Sequence, residues 1–103
     1  KDVPFKCGDC EDAVIVEDCP SACAVSNILT GISIMGTSLK SSHLKHLRPY
    51  KNLYICLDRD ATAKSYNIAK DLRASGFNNV IVKPIEDDLK YYNTDQIRSM
   101  FYE

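Results

Sequence analysis

Two acidic residues one position apart, Asp58 and Asp60, directly follow an apolar run at residues 53 to 57. Because side chains of an extended chain alternate with a period of two, the two carboxylates lie on the same side of that segment. Glu17 follows a second apolar run, AVIV at residues 13 to 16, and is a third candidate. Clustered carboxylates repel one another unless a cation or a proton intervenes. Hard oxygen ligands suit Mg²⁺ or Mn²⁺, which also engage phosphate oxygens and support phosphoryl transfer.

The Asp58 and Asp60 pair also has a simpler interpretation. Carboxylates favour helix N-termini, and Asp60 is positioned to cap the helix that follows. The D-x-D pattern alone leaves capping and metal binding open. Glu17, at the end of a separate predicted strand, favours the metal-binding interpretation.

Apolar periodicity divides the chain into strands that alternate with helices. Four short apolar runs predict strands that are buried on both faces, at residues 13–16, 32–35, 53–57 and 80–82. Between and after them we predict helices from about Pro20 to Gly31, from Leu39 to Leu47, from Asp60 to Gly76 and from Thr94 to Phe101. This order predicts an α/β fold with a mainly parallel sheet of about four strands and helices on both faces.

In such sheets, ligands bind at the carboxyl ends of the strands. Glu17, Gly36, the Asp58 and Asp60 pair and the acids after Val82 fall at the ends of the four predicted strands. We therefore expect one edge of the sheet to carry them all.

The size and composition are those of one globular domain. The chain has 103 residues, 45% of them hydrophobic and 26% charged, which is enough to bury a core and argues against disorder. We expect no membrane association, because no apolar run approaches the length of a membrane span. The chain starts at Lys1 rather than at a methionine, and we expect it to be part of a longer protein.

Charge is distributed unevenly along the chain. Residues 1 to 18 hold six acids and two lysines, whereas residues 40 to 73 hold eight basic residues and three acids. This contrast would suit an anionic ligand beside an acidic metal site. Solvated charges scattered over helix faces would explain it equally well.

The five cysteines suit a reducing compartment, because three of them lie within or beside apolar segments. Cys7 and Cys10, in CGDC, have half the spacing of a zinc site, but no second cysteine or histidine pair follows them. His43 and His46 fall in a separate, helix-like segment. We do not expect a complete zinc site, and the role of CGDC stays open.

Four motifs in order and register resemble those of the TOPRIM domain, particularly the version in phage-type DNA primases and primase–helicases. They are VIVED followed by a helix, then GTSL, then ICLDRDATAK, then EDDLKYYNTDQI. The resemblance extends from about Ala13 to Phe101 and implies the Rossmann-like TOPRIM fold for residues 13–103. Residues 1–12 would then be an N-terminal extension or a linker from an upstream module.

The resemblance also implies roles for individual residues. Glu17 would act as general acid or base, and Asp58 and Asp60 would bind Mg²⁺ or Mn²⁺. Three further residues take possible nucleotide- or nucleic-acid-binding positions: Gly36 in the second-strand loop, and Asp88 and Lys90 in a segment similar to the family's D-P-K.

The chain departs from the family pattern at several positions. Asp18 stands where the family usually has glycine, Ser21 stands where a further acid is usual, and Ala63 replaces a common glycine. Serine cannot replace the charge of a carboxylate, so the number of bound metal ions stays open.

Basic and aromatic residues near the predicted edge are further candidates. Lys64, one turn into the helix after Asp60, would contact a triphosphate or a backbone phosphate, or else be solvated. Arg59 points away from its acidic neighbours and is expected to have a structural role. Tyr91 and Tyr92, beside Lys90, either stack on bases or pack under the last helix, and packing is the commoner outcome.

The function implied by the resemblance is the catalytic core of a DNA primase, which makes RNA primers on a DNA template by Mg²⁺-dependent nucleotidyl transfer. Its partners would be DNA template, nucleoside triphosphates and a replicative helicase, fused or separate, in the cytoplasm (the host's, if the protein is phage-encoded). We expect the isolated domain to be inactive alone. A TOPRIM nuclease, a topoisomerase part and a non-catalytic binding module are the alternatives.

Overall fold

The computed structural model describes residues 4–34, 41–57, 59–85 and 89–102, with only the backbone of Ser41 and Arg59. Gly36, Asp58 and Asp88 lie outside these ranges.

A five-stranded sheet forms the centre of the described structure. Its strands are β1 (Phe5–Cys7), β2 (Ala13–Val16), β3 (Thr30–Ser33), β4 (Leu53–Ile55) and β5 (Val80–Val82). Their spatial order is β1-β3-β2-β4-β5. β2 is parallel to both β3 and β4, and β4 is parallel to β5. β1 pairs antiparallel with β3 at one edge.

Four α-helices connect or follow the strands: α1 (Cys19–Ala24), α2 (Leu44–Leu47), α3 (Thr62–Ala74) and α4 (Thr94–Tyr102). Short 3₁₀ segments at Ser41–His43, Arg59–Ala61 and Leu89–Tyr91 precede α2, α3 and α4 in turn. Among the described residues, no helix has the length and apolar character needed to cross a membrane.

One core lies between the sheet and helices α2 and α3. Alternate residues of the central strands, such as Ile15 and Ile55, face it and contact Leu47 of α2 and Ile68 and Leu72 of α3. These side chains fall on one face of the sheet because successive residues of a strand point to opposite sides.

A second core lies on the opposite face, under α1 and α4. It contains Val14 and Tyr54 from the strands, Val25 after α1, and Ile97 and Phe101 from α4. Both faces are therefore covered, which explains why the AVIV segment is apolar at every position rather than at alternate ones.

The structure confirms the α/β class, and helices cover both faces of the sheet. The described sheet has five strands rather than about four. The added strand, β1, lies in the segment that was expected to precede the domain. β3 occupies Thr30–Ser33 rather than residues 32–35. α1 ends at Ala24, well before Gly31, and a run of turns completes the connection to β3.

Candidate functional site

The carboxyl ends of β2 and β4 lie side by side in the middle of the sheet. The Cys56 amide donates to the Ile15 carbonyl over 2.9 Å, and Ile15 is level with Ile55. The chain leaves β2 toward β3 on one side and later returns to β4 on the other. The strand order reverses at this point, which is where ligands bind in open α/β sheets.

Glu17 is the first residue after β2 and is half-buried. Its carbonyl oxygen accepts a hydrogen bond of 3.0 Å from the hydroxyl of Ser33, which is itself fully buried. The Ile34 amide donates to the Val16 carbonyl over 3.2 Å. The end of β3 therefore fixes the backbone from which the Glu17 carboxylate projects.

Asp18 and Ser21 form the start of α1. Asp18 is the N-cap of α1, and its carboxylate accepts from the Ser21 amide over 2.9 Å. Pro20 occupies the first turn, where its missing amide hydrogen costs nothing. The side chain of Ser21 is buried. The unusual EDCPS sequence thus encodes a helix start directly after Glu17.

Asp60 is exposed and lies in the 3₁₀ segment that leads into α3. The N-cap position of α3 is taken by Ala61, whose side chain cannot cap. The proposed N-cap role of Asp60 is therefore not realised at that position. Asp58, the other half of the pair, lies outside the described residues.

Lys90 lies at the same edge of the sheet as Glu17 and Asp18. Its ammonium is 4.0 Å from the Asp18 carboxylate and 5.6 Å from the centre of the Tyr91 ring. The Tyr91 side chain is 73% exposed, whereas Tyr92 packs against the second core. The two tyrosines thus differ in exposure: Tyr91 is exposed to solvent beside the Lys90 ammonium, whereas Tyr92 is partly buried.

Lys64 is exposed in the first turn of α3, so its predicted contact with phosphate stays a prediction. Gly36 and Asp88 are outside the described residues, and their proposed roles also stay predictions.

Carboxylates such as Glu17 and Asp60 are the donors that Mg²⁺ and Mn²⁺ prefer, so the residue types at this edge fit a hard divalent cation. Within the described ranges, no group of three His, Cys, Asp or Glu residues is arranged to hold a metal ion. Asp58, the central member of the predicted set, lies outside those ranges.

Some of the basic residues stabilise the fold. The Arg48 guanidinium lies 4.7 Å from the centre of the Phe77 ring, and Arg73 donates to the Val80 carbonyl over 2.7 Å. These two residues explain part of the positive charge between residues 40 and 73 without any ligand.

A cavity of about 680 Å³ lies elsewhere, near the amino ends of β2 and β4. It is lined by residues that include Lys6, Glu11, Lys45, His46 and Tyr50. Its position separates it from Glu17 and Asp60, which follow the carboxyl ends of the same strands.

No protein-family model, curated protein or solved structure matches this chain. The similarity to the TOPRIM domain therefore depends on the four sequence motifs.

Proposed function

We propose that this chain is the TOPRIM-type, metal-binding catalytic core of a DNA primase. The observation that carries the proposal is the reversal of strand order between β2 and β4. The two strands that the acidic motifs follow are direct neighbours there. Glu17 comes immediately after β2, and Cys56 and Leu57 separate the end of β4 from the D-x-D pair.

In this proposal Asp58 and Asp60 hold the metal ion, and Glu17 takes or returns a proton at the attacking hydroxyl. A bound Mg²⁺ supplies positive charge that offsets the charge developing on the phosphates during nucleotidyl transfer. Glu17 is suited to the separate role because its backbone is fixed by Ser33, and catalytic groups require fixed positions.

Lys90 and Tyr91 would contact the nucleic acid. An exposed aromatic ring can stack on a base, and a neighbouring cation attracts the phosphate backbone. The Lys90 ammonium contacts Asp18, the N-cap of α1. Lys90 and Tyr91 therefore lie at the same edge of the sheet as Glu17, the proposed catalytic carboxylate.

Primer synthesis is tested with the longer parent protein, single-stranded DNA template and labelled ribonucleotides. We expect short RNA products from the native protein and from Asp71→Asn, which changes an exposed acid farther along α3. Asp60→Asn should abolish them.

The same assay separates the alternatives. Shortened DNA instead of new RNA would identify a nuclease that uses the same metal ligands with water as the attacking group. Neither product, together with no metal binding by the chain, would indicate a non-catalytic binding module and contradict the proposal.

A further inference from the structure

Three cysteines from two separate parts of the sequence lie close together on one face of the molecule. Cys7 is the last residue of the edge strand β1. Cys19 and Cys23 are one turn apart on α1, which packs against β1 and β3. All three are free thiols, and Cys23 is exposed.

The contact between β1 and α1 follows from the backbone. Cys7 is paired with Gly31 of β3, and a Cβ atom at Gly31 would lie only 2.0 Å from the carbonyl oxygen of Ala22. Helix α1 therefore approaches the sheet closely at the residue that pairs with Cys7. Cys23 follows Ala22 directly, so this close approach brings the two cysteines together.

The turn after β1 is also packed closely, against the segment that follows α1. Gly8 has a φ of +106° and a Cβ there would lie 3.1 Å from the Ser26 carbonyl oxygen, so a side chain would be both strained and crowded. β1 thus lies against α1, and the turn after β1 lies against the segment that follows α1.

The neighbouring thiols also affect the pKa of Cys23. That pKa is raised, first by the interaction with the Cys7 side chain, then by burial and by the charges of Cys7 and Cys19. This agrees with the backbone geometry, which brings Cys7 and Cys23 to the same face. Cys23 is exposed and therefore accessible to a reagent in solution.

Cys10, the partner that the CGDC spacing suggests for Cys7, is held elsewhere. Its amide donates to the Thr30 hydroxyl over 2.8 Å, and its carbonyl accepts from the same hydroxyl over 3.0 Å. Thr30 is fully buried, which anchors this end of the turn at the start of β3. The sequence motif and the folded contact therefore point to different partners for Cys7.

We propose that Cys7 and Cys23 form a reversible disulfide that joins the edge strand β1 to helix α1, with a small-molecule disulfide as the oxidant. One thiolate attacks the oxidant, forms a mixed disulfide and releases one small thiolate. The second protein thiolate then attacks the mixed disulfide and releases the other. Two protein thiols become one disulfide, and the two protons they lose are taken up by the two small thiolates.

Formation of this bond would constrain the segment between residues 7 and 23, which includes β2, Glu17 and the start of α1. A loop of this length restricts the unfolded chain appreciably, so we expect the melting temperature to rise on the order of 10 °C on oxidation.

The experiment treats the folded 103-residue chain with oxidised glutathione, blocks the remaining thiols and maps the bridges by mass spectrometry. We expect a mass lower by two hydrogen atoms, a dominant peptide pair containing Cys7 and Cys23, and a higher melting temperature that dithiothreitol reverses. Cys10→Ser should behave like the native chain, whereas Cys7→Ser and Cys23→Ser should form no such bridge.

A dominant bridge between Cys7 and Cys10, or between Cys19 and Cys23, would overturn the proposal. So would glutathione adducts on the native chain without an internal bridge. The mapping is made on the native sequence, so it decides the question even if a serine variant folds poorly. The metal-binding proposal does not depend on the outcome, because none of its ligands is a cysteine.

Discussion

At the scale of single residues, Glu17 and the aspartates are expected to act differently. Asp58 and Asp60 follow β4 along the chain, and Asp60 lies in the 3₁₀ segment that leads into α3. Glu17 directly follows the neighbouring strand β2, and its carbonyl oxygen accepts a hydrogen bond from the Ser33 hydroxyl. A carboxylate on a separate, fixed backbone is better suited to proton transfer than to completing the ligand set of the pair.

Glu17→Gln should therefore abolish primer synthesis by the parent protein while the isolated chain keeps at least part of its Mn²⁺ affinity. The amide removes the proton-accepting group but leaves both aspartates in place. Primer synthesis and Mn²⁺ calorimetry are measured on the same substitution. If Glu17→Gln loses metal as completely as Asp58→Asn does, then Glu17 is a metal ligand and its proposed acid–base role is wrong.

Asp18 and Ser21 can be interpreted in two ways from the sequence. Compared with the family pattern, they are departures at a metal site. An aspartate two positions before Pro20 at a strand end also indicates a helix cap. The structure shows this cap, in which the Asp18 carboxylate accepts from the Ser21 amide.

At the scale of elements, α1 is a helix of six residues and depends strongly on its cap. Asp18→Ala should lower the free energy of unfolding by about 1 kcal/mol, because the first turn loses its acceptor. Asp18→Asn is the matched control, since asparagine caps equally well but cannot pair with Lys90. Urea unfolding followed by circular dichroism measures both variants.

We expect Asp18→Asn to stay close to the native stability. The ion pair it removes is 4.0 Å long and partly exposed, and such pairs contribute little. An equal loss of stability in the alanine and asparagine variants would mean that the Lys90 contact, rather than the cap, stabilises this region.

Two strands were predictable from their apolar runs. β2 and β5 have the bounds expected, Ala13–Val16 and Val80–Val82, although of the two only β2 is buried at every residue. β1 was missed because FKC is too short to show an apolar pattern, and an edge strand held by backbone pairing to β3 needs none. β3 begins earlier than expected because Thr30 is buried through its hydroxyl bonds to Cys10, which hydropathy does not register.

At the scale of the whole molecule, Asp12 joins the last helix to the centre of the sheet. The Tyr102 hydroxyl donates to one carboxylate oxygen of Asp12 over 2.7 Å, and the Asn52 side-chain amide donates to the other over 2.8 Å. The Tyr102 ring also lies 6.5 Å from that of Tyr54. These contacts hold the end of α4 against the starts of β2 and β4.

Burial, followed by the hydrogen bond to Asp12, raises the pKa of Tyr102. A raised pKa in the folded state means that folding favours the neutral phenol. The stability this provides is complete below the ordinary tyrosine pKa of about 10 and is lost as the pH rises above it. Tyr102→Phe should therefore be less stable than the native chain near neutral pH and lose less stability in alkali.

Denaturant unfolding at about pH 8 and about pH 11 tests this difference, because these values lie on either side of the ordinary tyrosine pKa. Tyr66→Phe, at an exposed position on α3, is the control and should follow the native chain. The pKa of Tyr54 is also raised, mainly by burial, so some alkaline loss should persist in Tyr102→Phe. Identical pH dependence in the native chain and in Tyr102→Phe would show that folding does not raise the pKa of Tyr102.

The most direct test of the proposed site is a Mn²⁺ titration of the 103-residue chain followed by nuclear magnetic resonance. Paramagnetic broadening should centre on Glu17, Asp58 and Asp60 at millimolar or lower Mn²⁺. It should be lost in Asp58→Asn and in Asp60→Asn but retained in Asp71→Asn. No binding at millimolar Mn²⁺, or broadening centred on the cavity beside His46 instead, would contradict a metal site at the carboxyl ends of β2 and β4.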